Sequence, residues 1–319
     1  MSQAPNTVFI CGFPSSGTDL LKNVVNAHAK IHIGGEFPLL PALAERIDGH
    51  AAISDPASVA RDIVGCDIYG NLQNESLPEG FDASGRFAGI YTALLTSEAA
   101  TWYGNKTPQN AEHVDKLEQL FPRSRYILIV RDVRDVALSW KNKWGKDPLL
   151  CAHKWATRMG LTLRLLNAVA PGRYLVLKYE QLLGDYRAAA ERVCEFLSLP
   201  YDVQIDAFHE YVQDIVPGKL NYGQPVLSGN KGKWRTQFNQ STVWRIEEIA
   251  FDALNAFDYQ PSAAIEAVPI TPREKLLGCV REAAAAVFVG NRADRVGLSG
   301  RLWRLVRLEL AKRVGRYRV

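Results

Sequence analysis

The chain has 319 residues, of which 47% are hydrophobic, and a formal net charge of +4 at pH 7. A chain of this length can bury one large core, with or without an appendage. The net charge is too small to indicate a nucleic-acid partner, and no apolar stretch has the length of a membrane span. Residues 1–7 are uncharged and do not form a secretory signal, so we expect a cytoplasmic protein.

The cysteines are odd in number, widely scattered and without a C-x-x-C pair: Cys11, Cys66, Cys151, Cys194 and Cys279. This usage predicts reduced, buried residues, as in a cytosolic protein. No cluster of His and Cys has the spacing of metal ligands, and we expect no metal site.

The most informative stretch covers residues 8–21. It starts as an apolar run, which predicts a buried parallel strand, and Gly12 and Pro14 then predict a tight turn. Gly17 then leads into a helix expected over about residues 20–30. Glycines let the backbone approach an anion closely, and the N-terminus of the following helix attracts it. The stretch predicts a phosphate-binding loop, although a tight strand-to-helix turn in any α/β domain would look similar.

The loop differs from that of nucleotide triphosphatases. Gly12 and Gly17 have the spacing of the pattern G-x4-G-K-S/T, but Thr18 and Asp19 follow. The lysine that reaches the terminal phosphates and the hydroxyl that ligates magnesium are both missing. The loop can therefore hold a phosphate but is poorly equipped to cleave a magnesium-bound triphosphate.

Two charged residues follow short predicted strands. Glu36 comes after the strand that begins at Ile31 and a glycine pair, where a carboxylate beside a phosphate site can act as a base. Lys106 ends a strand before Pro108, which is placed to start a helix over Ala111–Phe121. Each has an ordinary alternative: Glu36 as a solvated turn or capping residue, and Lys106 as a surface lysine.

The stretch Arg125–Val130, in which Ile127, Ile129 and Val130 are β-branched, predicts a central parallel strand that is covered on both faces. Arg131 follows it, and Ser139 comes two turns into the next helix. A guanidinium fork matches a phosphate better than an ammonium does. The alternative for Arg131 is an ion pair with a neighbouring aspartate; we interpret Arg134 and Asp135 as helix-start electrostatics.

Two later stretches complete the pattern. A strand over Arg173–Lys178 leads into Tyr179, for which a place in the core is the simpler expectation. Glycines then alternate with cations at Lys231, Gly232 and Lys233, which predicts a flexible basic loop able to close over a phosphate.

Together these stretches resemble the sulfotransferases that use 3'-phosphoadenosine 5'-phosphosulfate (PAPS), closest in motif style to glycan and protein-tyrosine sulfotransferases. The matching elements, over about residues 8–240, are P-S-S-G-T at Pro14–Thr18, G-E at Gly35–Glu36, N-K-T-P at Asn105–Pro108, R-D-x-R-D-x-x-x-S at Arg131–Ser139, Y-E-Q-L at Tyr179–Leu182 and G-x-x-G-x-W at Gly229–Trp234. Ser15 departs from the family pattern, which usually carries Arg or Lys there, and leaves open which cation replaces that residue.

The resemblance implies an α/β fold with a central, mostly parallel sheet flanked by helices. It implies PAPS as donor, adenosine 3',5'-bisphosphate (PAP) as product, and no metal. Glu36 would be the base and Lys106 would stabilise the developing charge. The implied cofactor-binding residues are Pro14, Ser15, Ser16, Gly17, Thr18 and Asp19 for the 5'-phosphosulfate, Arg131, Ser139, Lys231, Gly232 and Lys233 for the 3'-phosphate, and Tyr179 for the adenine.

The sequence indicates the acceptor less directly. The Glu36 and Lys106 elements favour a glycan or tyrosyl hydroxyl. Of these we expect a glycan or glycoconjugate, with a tyrosyl, lipid or small-molecule hydroxyl as the alternative. A nucleotide-dependent kinase and a non-catalytic nucleotide- or membrane-binding protein are the rivals from other classes. The region that would shape the acceptor pocket predicts helices over Ala42–Arg46, Pro56–Val64 and Gly85–Ser97 and a loop over Gly65–Gly80.

The C-terminus has a different composition. We predict a sulfotransferase domain over residues 1–262 and a helical extension over 263–319, with a linker at Ala263–Pro269 and helices at Arg273–Val289 and Arg301–Arg318. From residue 291 onward there are nine basic and two acidic residues. The last helix would be basic and amphipathic, suited to the inner membrane surface, to an acidic partner or to packing on the enzyme body. The sequence does not indicate an oligomeric state.

Overall fold

The structure is a computed structural model that describes residues 6–37, 55–66, 72, 77, 87–95, 100–168, 172–210 and 229–289. Three predicted elements lie wholly or mostly outside these residues: the helix Ala42–Arg46, the loop Gly65–Gly80 and the helix Arg301–Arg318.

The core of the fold is a five-stranded sheet in the order β2-β3-β1-β4-β5, in which all neighbouring strands run parallel. The strands are Asn6–Gly12 (β1), Ile31–Gly34 (β2), Trp102–Asn105 (β3), Arg125–Val130 (β4) and Tyr174–Lys178 (β5). The prediction of an α/β fold with a mostly parallel central sheet is confirmed.

Helices cover both faces of the sheet. In chain order they are Thr18–Asn26 (α1), Pro56–Cys66 (α2), Phe87–Leu95 (α3), Val114–Leu120 (α4), Val133–Trp144 (α5), Pro148–Ala168 (α6), Tyr179–Gly184 (α7), Tyr186–Leu197 (α8), Trp234–Gln237 (α9), Gln240–Ala256 (α10) and Pro272–Val289 (α11), with 3-10 helices at Pro108–Glu112 and Val203–Glu210. Helices α1, α7 and α8 pack on one face, and α2 to α6 with α10 pack on the other.

The central strand β1 shows why the apolar run is continuous. Phe9 and Cys11 point into one hydrophobic cluster, and Val8 and Ile10 point into the other. All four side chains are fully buried. Because helices cover both faces, neither side of this strand tolerates the polar residues that a half-exposed strand would carry.

The predicted helix Ala111–Phe121 is divided in the structure. A 3-10 helix, Pro108–Glu112, ends at His113, whose backbone leaves the helical region, and α4 then begins at Val114. The 3-10 turn is held by the side chain of Asn110, which donates to Asn105 Oδ1 over 2.7 Å. A tertiary contact with the preceding strand therefore overrides the local helical preference.

The prediction for the cysteines is confirmed for three of them and wrong for one. Cys11, Cys151 and Cys194 are buried free thiols, whereas Cys279 is exposed on α11. A Cβ at the neighbouring Gly278 would press on Leu150, so it is Gly278 that faces the body and Cys279 that faces away. The side chain of Cys66 lies outside the described residues.

The segment predicted as a linker contacts the enzyme body. The backbone N–H groups of Ala263 and Ala264 donate to the buried carboxylate of Glu247. Further along, Val268 N–H donates to the carbonyl of Glu248 over 3.1 Å, so this segment follows α10 closely. The division of the chain at residue 263 stays a prediction.

Helix α11 is fixed to the body by ion pairs in its first and later turns. Near its start, Arg245 of α10 forms two hydrogen bonds with Glu274, over 2.6 and 2.8 Å. Further along, Arg281 pairs with the buried Asp147, and Glu282 pairs with Lys146, each over 3.0 Å. The predicted helix at Arg273–Val289 is thus present and packs on α6.

We expect the Glu274→Gln variant to loosen this docking and to lower the melting temperature by about 1–3 °C at pH 7. The hydrogen bonds from Arg245 hold the pKa of Glu274 at about 2, well below its usual value. A carboxyl group with a lowered pKa stabilises the fold above about pH 4.5 and loses this contribution as the pH falls towards 2. The difference in melting temperature between the variant and the wild type should therefore shrink in acid. The exposed Glu266, changed to Gln, is the matched control.

Candidate active site

The sheet brings five predicted site elements to one edge, because parallel strands end on the same side. The elements that follow the carboxyl ends of β1 to β5 are, in that order, the loop Phe13–Gly17, Glu36, Lys106, Arg131 and Tyr179. Gly12 at the end of β1 pairs with Ile129 near the end of β4, so the glycine loop and Arg131 are neighbours.

The glycine loop is a compact turn that opens directly into α1. Ser16 N–H donates to the carbonyl of Phe13 over 3.0 Å, and both Ser15 and Gly17 have left-handed backbones, with φ of 71° and 90°. A Cβ at Gly17 would overlap the ring of Tyr179, so a glycine is required there by space as well as by conformation. The loop thus places the N-terminus of α1 at the sheet edge, where it favours an anion.

Arg131 joins the glycine loop to the basic loop. Its Nη1 donates to the carbonyl of Ser15 over 3.0 Å, and its Nη2 donates to the carbonyl of Asn230 over 2.9 Å. The guanidinium lies 4.4 Å from the ring centroid of Tyr179 and is buried. Its hydrogen bonds go to these two loops, which disfavours the alternative of a simple ion pair with Asp132 or Asp135.

Two buried polar atoms at this edge have no hydrogen-bond partner among the described residues: Ser16 Oγ and Arg131 Nε. A buried donor without a partner is unfavourable, and a phosphate oxygen would satisfy either of them. Both belong to residues at the predicted phosphate sites. The side chains present therefore fit an anionic nucleotide.

Tyr179 is enclosed by protein groups. Its ring lies between Gly17 and Arg131, and its hydroxyl accepts a hydrogen bond from Asn230 Nδ2 over 2.8 Å. Burial raises the pKa of Tyr179, although Arg131 and Asn230 act in the opposite direction. Among the described residues, the ring of Tyr179 packs against the guanidinium of Arg131. A contact between Tyr179 and the adenine stays a prediction.

Lys106 is the buried cation of a three-residue cluster. Its Nζ lies 2.7 Å from Glu36 Oε1 and 2.6 Å from Asp19 Oδ1, and its side chain is 2% exposed. Burial acts to lower the pKa of Lys106, but the two carboxylates outweigh it, and the pKa lies above its usual value. Lys106 is therefore a fixed positive charge beside the glycine loop, and an ordinary surface lysine is excluded.

Glu36 is held at the edge of the site and remains accessible. The next residue, Phe37, donates its backbone N–H to Thr107 Oγ1 over 2.8 Å, which ties the segment to the chain beyond Lys106. The Glu36 side chain is 26% exposed, so a substrate can reach its carboxylate. Asp19, which we predicted among the cofactor-binding residues, lies in the first turn of α1 and pairs with Lys106; its contact with the cofactor stays a prediction.

The basic loop folds over Arg131 with its cations outward. Gly232 has a left-handed backbone, with φ of 70°, and both Lys231 and Lys233 are exposed. Lys233 Nζ donates to Asn230 Oδ1 over 3.0 Å. Ser139 lies half-buried on α5, one turn beyond Asp135 and on the same side of the helix.

The roles of Asp135 and Asn230 were not predicted from the sequence. The carboxylate of Asp135 accepts hydrogen bonds from the backbone N–H groups of Gly232 and Trp234, so it does more than favour the start of a helix. Asp132 is the residue that caps α5, and it also pairs with Arg134 over 2.7 Å. Two features of the sequence could have indicated this contact. Asp135 is an acid near Arg131 with no assigned partner, and the basic loop is a turn whose backbone N–H groups need acceptors.

Among the described residues, no group of His, Cys, Asp and Glu could hold a metal ion. Within the same part of the chain, no helix combines the length and apolar character needed to cross a bilayer.

A parallel sheet with a glycine loop after its central strand, an arginine after the neighbouring strand and a buried lysine between two acids is typical of α/β proteins that bind a nucleotide at the carboxyl edge of the sheet. Residues 5–203 match the family model described as "Sulfotransferase family". The chain belongs to the sulfotransferase family, as its motifs predicted.

Similar proteins agree with this assignment. The chain is 25% identical over 279 residues to a putative protein-tyrosine sulfotransferase of Caenorhabditis briggsae, and the match covers 83% of this chain and 92% of the relative. It is 24% identical over 271 residues to protein-tyrosine sulfotransferase A of Caenorhabditis elegans, covering 80% of this chain and 68% of the relative.

The fold is similar to that of solved sulfotransferase domains. The domain from the Synechococcus PCC 7002 olefin synthase has a TM-score of 0.58 and 24% identity, and the match covers 81% of this chain and 96% of that domain. The domain from the curacin biosynthetic pathway has a TM-score of 0.54 and 19% identity, covering 81% of this chain and 99% of that domain.

Proposed function

We propose that this protein transfers the sulfuryl group of PAPS to a hydroxyl group of a glycan or glycoconjugate, with PAP as the second product. Membership of the family supports the reaction type. The observation that carries the choice of donor is the position of Arg131, which lies 3.0 Å from the carbonyl of Ser15 and contacts the basic loop as well. An arginine between two loops, each next to a predicted phosphate site, suits a nucleotide with two phosphate groups.

PAPS, when bound, supplies the sulfuryl group and a phosphate leaving group. The backbone of Pro14–Thr18 would hold the 5'-phosphosulfate at the N-terminus of α1. Arg131, Ser139 and the loop that contains Lys231, Gly232 and Lys233 would hold the 3'-phosphate. This division assigns each phosphate to a different strand end.

Glu36 and Lys106 would carry out the chemistry. Glu36 takes the proton of the acceptor hydroxyl as its oxygen attacks, which is general base catalysis. Lys106 stabilises the negative charge that develops between the sulfonate and the leaving phosphate. An ammonium group has three N–H donors, and within the described part of the chain Lys106 directs two of them to Glu36 and Asp19. The third N–H would be directed to the sulfonate of PAPS. Lys106 would also supply the positive charge that Ser15 lacks.

We expect the Arg131→Ala variant to lose about 10–100-fold in affinity for PAP, because charge-assisted hydrogen bonds to the 3'-phosphate disappear. Affinity for adenosine 5'-phosphate, which has no 3'-phosphate, should change much less. Isothermal titration calorimetry with both nucleotides measures the two effects, and Arg164→Ala, an exposed change on α6, is the control. An Arg131→Ala protein with unchanged PAP affinity would contradict the assignment of the 3'-phosphate site.

The acceptor is tested by transfer of radiolabelled sulfate from PAPS. We would offer glycans, tyrosyl peptides and a fractionated host extract, and identify the labelled product by mass spectrometry. Tyrosyl hydroxyls are the second candidate, favoured by the names of the relatives. Magnesium-dependent turnover of ATP with no transfer of sulfate would instead support a kinase and overturn the proposal.

We further propose a cytoplasmic location with the basic segment 301–318 at the inner membrane surface. The support is the sequence pattern of the C-terminus, which has nine basic and two acidic residues from position 291 onward. Full-length protein should sediment with anionic vesicles and release at high salt, whereas a chain that ends at residue 289 should not bind. If both chains sediment to the same extent with the vesicles, the membrane assignment is wrong. The segment would then contact an acidic partner or the enzyme body.

A further inference from the structure

The side chain of Asp135 makes two hydrogen bonds across the molecule to the basic loop. Its Oδ2 accepts from Gly232 N–H over 2.6 Å, and its Oδ1 accepts from Trp234 N–H over 3.1 Å. The residue is 2% exposed. Charge-assisted hydrogen bonds of this kind are stronger than neutral ones, so this carboxylate fixes the backbone of the loop more firmly than ordinary loop contacts would.

The two bonded N–H groups belong to the middle and the end of the basic loop. Gly232 has a left-handed backbone and lies between Lys231 and Lys233 in the chain. On the other side of this turn, the carbonyl of Asn230 accepts from Arg131. The turn is therefore fastened at both ends, by Asp135 through its N–H groups and by Arg131 through a carbonyl.

The neighbouring acid does not share this role. Asp132 caps α5 and pairs with Arg134, which also pairs with the buried Glu247. Arg134 in turn lies 4.1 Å from the ring centroid of Trp234. Asp135 thus accepts the hydrogen bonds from the loop backbone. Asp132 instead caps α5, and Arg134 packs against the ring of Trp234.

We propose that Asp135 is a positioning residue that holds the basic loop closed over the 3'-phosphate site and so sets the preference for nucleotides that carry a 3'-phosphate. The inference rests on the proposed function. A loop of glycines and lysines loses much conformational freedom when it orders. Asp135 offsets this cost before the nucleotide arrives, which raises affinity by preorganisation.

The test compares Asp135→Asn with the wild type by calorimetry, using PAP and adenosine 5'-phosphate. An amide at this position keeps one acceptor oxygen but faces the second N–H with a donor, so one loop contact is lost. We expect PAP affinity to fall about tenfold, the effect of one charge-assisted hydrogen bond, with adenosine 5'-phosphate affinity unchanged. In turnover assays the KM for PAPS should rise while kcat is kept. Asp185→Asn, at the cap of α8, is the matched control because its carboxylate also accepts a backbone N–H.

Two further measurements separate this inference from a general loss of structure. Amide hydrogen exchange at Gly232 and Trp234 should speed up in nucleotide-free Asp135→Asn and not in Asp185→Asn. Gly232→Ala strains the same turn at an uncrowded position, and it should lower PAP affinity selectively as well. This second variant keeps the test open should Asp135→Asn fail to fold.

The outcomes distinguish the inference from the proposed function. If the wild type prefers PAP and Asp135→Asn keeps the full preference, the role of Asp135 is wrong and the proposed function stands. A parallel loss of affinity for both nucleotides would also overturn it, since that result indicates a structural role alone. If the wild type shows no preference for PAP, the proposed function and this inference both fail.

Discussion

The Glu36→Gln variant is expected to lower kcat for sulfate transfer by about 10²–10⁴-fold while PAP binds as it does to the wild type. In the wild type, Lys106 Nζ lies 2.7 Å from Glu36 Oε1. Glutamine keeps the shape of the side chain and an oxygen that can still accept a hydrogen bond from Lys106. It cannot take the proton of the acceptor hydroxyl. Turnover with radiolabelled PAPS and calorimetry with PAP measure the two quantities on the same preparation.

Glu112→Gln is the control for that experiment. Glu112 is a partly exposed acid in the 3-10 helix after β3, and it pairs with Arg158 over 3.2 Å, apart from the Lys106 cluster. This variant should turn over normally. Wild-type turnover in Glu36→Gln would show that the base is another group, whereas a loss of PAP binding would point to damage of the fold.

Replacing Lys106 with Met is expected to lower kcat by about 10²–10³-fold, the size of effect seen when one preorganised charge-stabilising group is removed. Methionine fills a similar volume but carries no charge. Because the pKa of Lys106 lies above its usual value, the wild-type residue stays protonated at neutral pH. A loss of rate as the pH rises from about 7 to about 9 should therefore not come from Lys106.

The Lys106→Met change also removes the cation that lies between the carboxylates of Asp19 and Glu36. Part of its effect on kcat is therefore structural. The double variant with Asp19→Asn and Lys106→Met removes one of the two facing charges. It should regain thermal stability relative to Lys106→Met but remain slow in turnover. Recovery of wild-type kcat in the double variant would contradict a direct role of Lys106 in the reaction. Lys154→Met, exposed on α6, controls for the loss of a lysine.

The sequence predicted those parts of the site that follow a strand. The side chains of the strand runs Val8–Cys11 and Tyr126–Val130 are buried on both faces of the sheet, as predicted. Once such strands are parallel, the residues after them must meet at one edge, which is why Lys106 and Arg131 were found from local patterns. Their partners across the sheet edge could be anticipated only through the resemblance to a family.

Contacts between distant segments could not be predicted from local patterns. Asp135 and Gly232 lie 97 positions apart and meet only because the basic loop folds back over α5. Arg131 reaches the Ser15 carbonyl in the same way. The exposure of Cys279 likewise depends on how α11 packs, since the neighbouring Gly278 faces Leu150, which is remote in sequence.

We propose that the glycine loop, Arg131 and the basic loop together bind an adenine nucleotide phosphorylated at both its 3' and 5' positions. A calorimetric titration of the wild-type protein with PAP and, separately, with adenosine 5'-phosphate tests this claim. We expect PAP to bind about 100-fold more tightly, because the 3'-phosphate adds two charge-assisted hydrogen bonds. Equal affinity for the two nucleotides would contradict the claim.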